Sequence, residues 1–434
     1  MIRTWPAAQI FLNSFIPVGI KYTYTGDHGL LRTKYLLALC GNPQEKVKVI
    51  HIAGTSGKGS TATMISTALI GQGFKVGLSL SPHVIDLRER FQINNAFVTF
   101  NDVMEIVNEL QEAVKQTTLS KHGKPTYFEI ITALTFLLFC KKQVDYAVME
   151  TGLGGTYDAT NVVSNESKVA VITKIGHDHM GVLGKTLPKI ASQKAGIILE
   201  KNSVISTSQR ESVRRVLDER AKQMHTSVQY VKPSIVKWNI QLPILGKFQI
   251  ENCAVALSTI ELVSKRDNWS IDATKLRETM NHLEIPGRMQ KIVINGKTVI
   301  LDGAHNPQKM SALIKSLKEL YPNQKLDFLV ALKKGKDYRN TLKYILPKAN
   351  TIVCTKFLLN TQGFPMQAEE PEKLISVIEK AGYIPATVVE NPHEALKHSL
   401  KHNKNILIIT GSFYLVSELY VILSERSESK NLGV

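Results

Sequence analysis

The sequence predicts an α/β fold, with a mostly parallel sheet domain followed by a smaller doubly wound α/β domain. Three observations carry this expectation. β-Rich runs alternate with helical patterns from residue 30 to residue 300. One of those runs ends in a glycine-rich turn that carries a lysine and a hydroxyl. Beyond Pro286 and Gly287 the alternation begins again.

Taken in order, Val47–Ala53 is a run of β-formers, Gly54, Gly57, Lys58 and Gly59 supply the turn, and Ser60–Ile70 reads as a helix. A second strand is expected at Lys75–Leu80. Asp102 with Glu105 reads as a capping pair opening a helix around Met104–Gln116. Tyr127–Cys140 is apolar nearly all round and reads as a buried helix, its threonines arguing against a membrane span. Further strands are expected at Asp145–Met149, Val169–Ile175 and Ser203–Thr207. A new alternation at Lys291–Asn295, Gly296 and Thr298–Leu301 places the boundary near 288–296, giving domains 1–290 and 291–434. The second domain offers strands at Leu326–Val330, Asn350–Cys354, Ala386–Val389 and Ile406–Ile409. A frayed polar tail is expected over 424–434.

At 434 residues the chain is too long for one ordinary core. Its 43% apolar and 21% charged residues are those of a soluble globular protein. Asn13 and Pro17 interrupt the apolar start, which argues against a signal peptide. Cys40, Cys140, Cys253 and Cys354 lie far apart, without metal-ligand spacing, which favours a reducing cytoplasm. The net charge of +17 comes from scattered basic residues, with no aromatic-interleaved stripe, so no nucleic-acid partner is expected; a positive cleft also suits an anionic small molecule.

Strand, glycine turn, lysine, hydroxyl and helix are the layout of a phosphate cradle. Glycines let backbone N–H groups face an anion, and the helix start adds partial positive charge. Lys58 is placed to reach phosphate oxygens and Ser60 to ligate Mg²⁺. Glu150 ends an apolar strand where a parallel sheet faces its ligands, and Thr151-Gly-Leu-Gly-Gly-Thr-Tyr-Asp-Ala-Thr-Asn161 follows at once. His177-Asp-His179 ends the next strand. It offers metal-binding capacity, and Mg²⁺ shared with Glu150 suits the turn better than zinc.

In order, the chain shows HIAGTSGKGS, LSPHV, RERFQIN, TYFE, METGLGGTYDATN, IGHDHMGVLG, QKAGI, GKFQIENCAVA, GRM, LDGAHNP, LVALKKGKDY and ITGSFYLV. This series resembles the folylpolyglutamate synthase/dihydrofolate synthase branch of the Mur ligase superfamily, with Ser56 standing where that family usually has Asn. The resemblance runs from about Gly29 to Val416. It implies a P-loop-type first domain and a Rossmann-like second one. It also implies an ATP site of Gly57, Lys58, Gly59, Ser60, Asn252, Arg288 and Asp302. Metal ligands would be Ser60, Ser81, Glu150 and His179, with His177 given no role. Lys194 matches a lysine that is carbamylated in the superfamily. His305 matches a catalytic residue of the second domain. Tyr127, Phe128, Glu129, Tyr157, Asp158 and Ala159 match the pteroate site, whereas Asp27-His-Gly-Leu is only loosely like the family's entry motif.

The implied reaction is ATP- and Mg²⁺-dependent addition of L-glutamate to dihydropteroate, to folate, or to both, through an acyl phosphate. The partners are then small molecules, not nucleic acid or membrane, and a monomer is expected. Two other readings are weaker. A Mur-type ligase acting on a UDP-linked precursor needs a domain for which too little chain precedes Gly54. A nucleotide-binding protein without ligase activity would show guanine-specificity signals such as Asn-Lys-x-Asp, and none stands at a strand end.

Overall fold

The computed structural model describes residues 1–16, 26–83, 86–358, 367–382, 385–402 and 406–428. Pro17, Val84 of the LSPHV motif and residues 429–434 of the expected tail lie outside the described residues. The chain divides into two compact units, Met1–Gln241 with Ile250–His282, and Leu242–Gln249 with Leu283–Val434.

The first unit carries an eight-stranded sheet in the order β4-β3-β2-β5-β1-β6-β7-β8, counted among the described residues. Its strands are β1 Lys48–Ala53, β2 Val76–Ser79, β3 Gln92–Ile93, β4 Ala96–Phe97, β5 Tyr146–Glu150, β6 Val169–Ile172, β7 Ser203–Thr207 and β8 Val228–Val231. The run β2-β5-β1-β6-β7-β8 is parallel throughout, and only β3 and β4 are antiparallel. The central strands are buried on both faces, which is why they read as mainly apolar runs. The helix Tyr127–Lys141 is likewise buried almost all round, as its composition requires.

One cap differs from expectation. The helix Phe100–Leu119 starts earlier than Asp102, and its capping box is Thr99 with Asp102. Thr99 Oγ1 accepts the Asp102 N–H, and the Asp102 carboxylate returns a bond to the Thr99 N–H. Asp102 therefore sits at the third helical position. The hydroxyl that breaks the preceding extended chain is the cap.

The second unit has a six-stranded sheet, again among the described residues, in the order β13-β12-β11-β14-β10-β9. It comprises β9 Arg288–Ile294, β10 Lys297–Asp302, β11 Leu326–Val330, β12 Ala349–Cys354, β13 Ala386–Val388 and β14 Leu407–Thr410. β9 and β10 form an antiparallel hairpin through Asn295 and Gly296, both with positive φ, as a tight Asn-Gly turn demands. The other pairings are parallel. Because β9 already starts at Arg288, the units part between His282 and Leu283, ahead of the expected 290/291 division. The segment Leu242–Gln249 also belongs with the second unit. The closing helix Phe413–Glu428 takes up the first residues of the expected polar tail.

All four cysteines are free. Among the described residues no helix is long and apolar enough to cross a membrane.

Candidate active site

β2, β5 and β1 are neighbours and run parallel, so their carboxyl ends share one edge of the sheet. That edge is where a doubly wound sheet offers its binding crevice. β1 delivers the turn Gly54–Gly57 there. The turn is braced by the end of β6: the N–H groups of Thr55 and Ser56 both donate to the Lys174 carbonyl, at 2.9 and 3.1 Å. Thr55 Oγ1 also donates to the Gly176 carbonyl at 3.0 Å.

Gly57 caps the helix Lys58–Gly71 with φ of 89°, in the left-handed region. A Cβ there would lie 2.3 Å from Asn252 Oδ1. Glycine is thus required twice over, and Asn252 of the helix Lys247–Arg266 is placed directly on the turn. Ser60, in the first turn of the helix Lys58–Gly71, is buried.

Lys58 Nζ lies 3.7 Å from Glu150 Oε1 at the end of β5. The other carboxylate oxygen, Oε2, accepts the Ser81 N–H at 2.9 Å. Lys194, at the end of the helix Leu187–Ala195, is buried and donates a 2.8 Å hydrogen bond from Nζ to the Gly54 carbonyl. Lys194 and Asn252 thus touch the phosphate turn directly, and Lys58, Glu150 and Ser81 are linked to one another beside it. His179 is placed differently. It starts a short helix, Met180–Leu183, with φ of 49°; its ring is half exposed and lies 3.9 Å from Asp178 Oδ1. Among the described residues no three His, Cys, Asp or Glu side chains form a metal-binding group. The donors at the turn are the oxygens of Ser60, Ser81 and Glu150, a hard set that fits Mg²⁺.

The residues matched to a pteroate site divide. Phe128 lies against the glycine-rich turn after β5, since a Cβ on Gly152 would come within 2.6 Å of its ring. Tyr127 is buried, and its hydroxyl pKa is raised by that burial. Glu129 has other work. Both its oxygens are held by Arg32, at 2.6 and 2.8 Å, in a buried bidentate pair, and Oε2 also accepts the Thr126 N–H. Asp158 is equally occupied. Its carboxylate accepts the N–H of Leu153 at 2.7 Å and of Thr160 at 3.0 Å, together with the Thr160 hydroxyl. Burial raises its pKa, and these bonds oppose the rise. Ala159 is buried and Tyr157 is exposed.

Arg288, Asp302 and His305 lie in the second unit. Asp302, at the end of β10, accepts the Met289 and Ala304 N–H groups at 3.0 and 2.9 Å. Burial pushes its carboxyl up to about 6, against the pull of Arg288 and these donors. The Arg288 guanidinium stacks 4.0 Å from the centre of the Phe413 ring. His305 Nδ1 pairs with the Gly303 carbonyl at 2.8 Å, and Nε2 lies 3.2 Å from Lys309 Nζ. Asn306 caps the helix Pro307–Leu320.

Several groups around these residues were not singled out from sequence. Phe413 and Lys309 complete the second-unit cluster. His83 and Arg90, joined by a buried 2.7 Å bond, link the segment after Ser81 to the RERF motif. Both motifs stood out in the chain, but nothing along it tells that they meet.

Comparison with known proteins agrees with this layout. Residues 52–230 match the family described as Mur ligase middle domain. Residues 282–422 match that described as dihydrofolate synthetase, C-terminal domain. The chain is 30% identical over 443 residues to dihydrofolate synthase/folylpolyglutamate synthase of Bacillus subtilis, covering 96% of this chain and 99% of that one. It is 32% identical over 418 residues to dihydrofolate synthetase of Saccharomyces cerevisiae, covering 90% and 96%. Among solved structures, Mycobacterium tuberculosis folylpolyglutamate synthase complexed with ADP matches with a TM-score of 0.83 at 26% identity, over 96% of this chain and 98% of that one.

Proposed function

The chain belongs to the dihydrofolate synthase/folylpolyglutamate synthase family, and from that premise we propose that it joins L-glutamate to dihydropteroate, to a folate, or to both, at the expense of ATP. The observation that carries this reading is the meeting of Lys58, Glu150, Ser81 and Lys194 at one glycine-rich turn on the carboxyl edge of the sheet.

A carboxylate does not react with an amine at neutral pH, because oxide is a poor leaving group. Transfer of the γ-phosphoryl group of ATP to the acceptor's carboxylate creates an acyl phosphate with a good leaving group. The α-amine of glutamate then attacks, and phosphate leaves. The turn's N–H groups and Lys58 bind the phosphates and offset charge as it shifts toward the leaving oxygen. Gly57, Gly59 and Asn252 shape the nucleotide's seat, and the likeness to the family assigns Arg288 and Asp302 to ATP as well. His305 is assigned to the acyl-transfer chemistry. Phe128 and the turn Tyr157–Ala159 receive the pterin end of the acceptor.

Ser60, Ser81 and Glu150 would hold Mg²⁺, together with His179 and a carbamylated Lys194, and the ion would neutralise phosphate charge. A relative of the same family has been solved with ADP bound. The four free cysteines favour a cytoplasmic setting, where the chain acts as a monomer on small molecules.

The test is a substrate panel. Purified protein is given ATP and labelled glutamate with dihydropteroate, tetrahydrofolate or a UDP-muramoyl peptide. Labelled product and ADP are expected with one or both pterins. Product only with the UDP-peptide, or ADP release indifferent to every acceptor, would overturn the reading.

A further inference from the structure

Beside the phosphate turn the first unit buries two polar side chains, His51 and Thr160, that the proposed chemistry leaves unused. His51 lies in the middle of β1 and is fully buried. Strand alternation puts it on the same face as Ala53, which packs with Ile190 and Ala191 of the helix carrying Lys194. A histidine in such a layer is costly, and its Nδ1 has no hydrogen-bond partner among the described residues. Its other nitrogen accounts for its presence. His51 Nε2 lies 2.8 Å from Thr160 Oγ1.

The direction of that bond follows from its neighbours. Thr160 Oγ1 gives its single proton to Asp158 Oδ1, so it accepts from His51, whose proton is on Nε2. The Asp158 carboxylate in turn gathers the Leu153 and Thr160 N–H groups. A continuous chain of bonds therefore runs from β1 to both ends of the turn 153–160. The same turn is tied to the Lys194 helix: the Thr156 N–H donates to the Gln193 carbonyl at 2.8 Å, and Asn161 Nδ2 donates to the Gly196 carbonyl at 3.0 Å. Burial, with repulsion from Lys168, holds the His51 pKa well below its ordinary value, so the ring remains neutral.

We propose that His51 and Thr160 are positioning residues: they clamp the turn Gly152–Asn161 to the strand that delivers the phosphate loop, and so hold the acceptor's carboxylate in register with the γ-phosphoryl group. The clamp stands on the geometry; its effect on the acceptor rests on the function proposed above. Neither side chain touches the reacting atoms, so the loss on removing the bond falls on the acceptor and not on the nucleotide.

The experiment compares Thr160→Val, Thr160→Ser, His51→Phe and the double variant T160V/H51F. Steady-state ligation, ADP binding and amide hydrogen exchange over 151–161 are measured, with melting temperature as a check on folding. Thr160→Val is expected to lower kcat/KM for the acceptor by about ten- to a hundredfold, since small misplacement is costly in catalysis. It should speed exchange over 151–161 and leave the ADP dissociation constant within about twofold, as expected for one bond that does not touch the nucleotide. Thr160→Ser should restore all three, and the double variant should be no worse than the poorer single one. Unchanged exchange and acceptor kcat/KM in Thr160→Val, or additive losses in the double variant, would overturn the clamp. Wild-type protein that ligates no pterin acceptor would instead sink the functional reading, and the exchange comparison would still decide the clamp.

Discussion

Lys194 Nζ donates to the carbonyl oxygen of Gly54, tying the end of one helix to the first residue of the phosphate turn. A lysine buried this deeply is not one of the solvated surface lysines that a helix ordinarily carries. Conversion to a carbamate would reverse its charge, leave an N–H on Nζ that can still face the Gly54 carbonyl, and offer the new oxygens to a cation. Ligation rates are therefore expected to fall when dissolved CO₂ is stripped and to recover when bicarbonate is added. The Lys194→Ala variant should be slow and indifferent to bicarbonate. A wild-type rate that ignores CO₂ would show that the amine itself is the working form.

The Arg32–Glu129 pair makes a prediction about stability. The two side chains are 8% and 6% exposed, so removing one partner leaves a buried charge uncompensated. Glu129→Ala and Arg32→Met should each cost about 3–5 kcal/mol. Because they break one pair, the double variant should lose less than the sum. Denaturant unfolding of the four proteins is the check. A Glu129→Ala variant as stable as the parent, with only its acceptor KM raised, would return Glu129 to the substrate.

Gly57 is constrained both by its positive φ and by Asn252 Oδ1. Gly57→Ala must strain the backbone by about 1–3 kcal/mol and push Asn252 aside. Affinity for ADP should fall by at least about tenfold, the equivalent of 1.4 kcal/mol. Calorimetric titration of ADP into the variant reads this directly.

Asp302 supplies a pH dependence. Its folded pKa, about 6, stands above the ordinary carboxylate value of 3.8 because burial disfavours the ionised form. The group's contribution to stability is therefore full below pH 4 and is lost as pH rises toward 6. Activity is expected to move in the opposite sense, since the ionised carboxylate is the stronger hydrogen-bond acceptor for a bound nucleotide. The kcat/KM for ATP should decline on the acid side with an apparent pKa near 6. A profile flat through that region would remove Asp302 from the nucleotide site.

Much of the architecture could be read along the chain because local pattern and burial agree. β7 and β11 occupy the expected residues, and the turn before Lys58 is where glycine spacing places it. The misses have physical causes. β3 and β4 are two residues each, and β8 is a partly exposed edge strand, too short or too polar to announce itself. Arg32 with Glu129, and His51 with Thr160, are joined only by the tertiary fold, so no spacing along the chain pairs them. The helix start is displaced because Thr99 forms the capping box with Asp102, leaving Glu105 inside the helix.

The proposed function turns on whether ATP activates the acceptor by phosphorylating its carboxylate. It is tested by ligating glutamate to an acceptor whose carboxyl oxygens are ¹⁸O and analysing the released phosphate by mass spectrometry. One acceptor-derived ¹⁸O is expected in each phosphate, because the C–O bond broken is the one that carried the phosphoryl group. Phosphate free of acceptor oxygen, released while amide product accumulates, would contradict it.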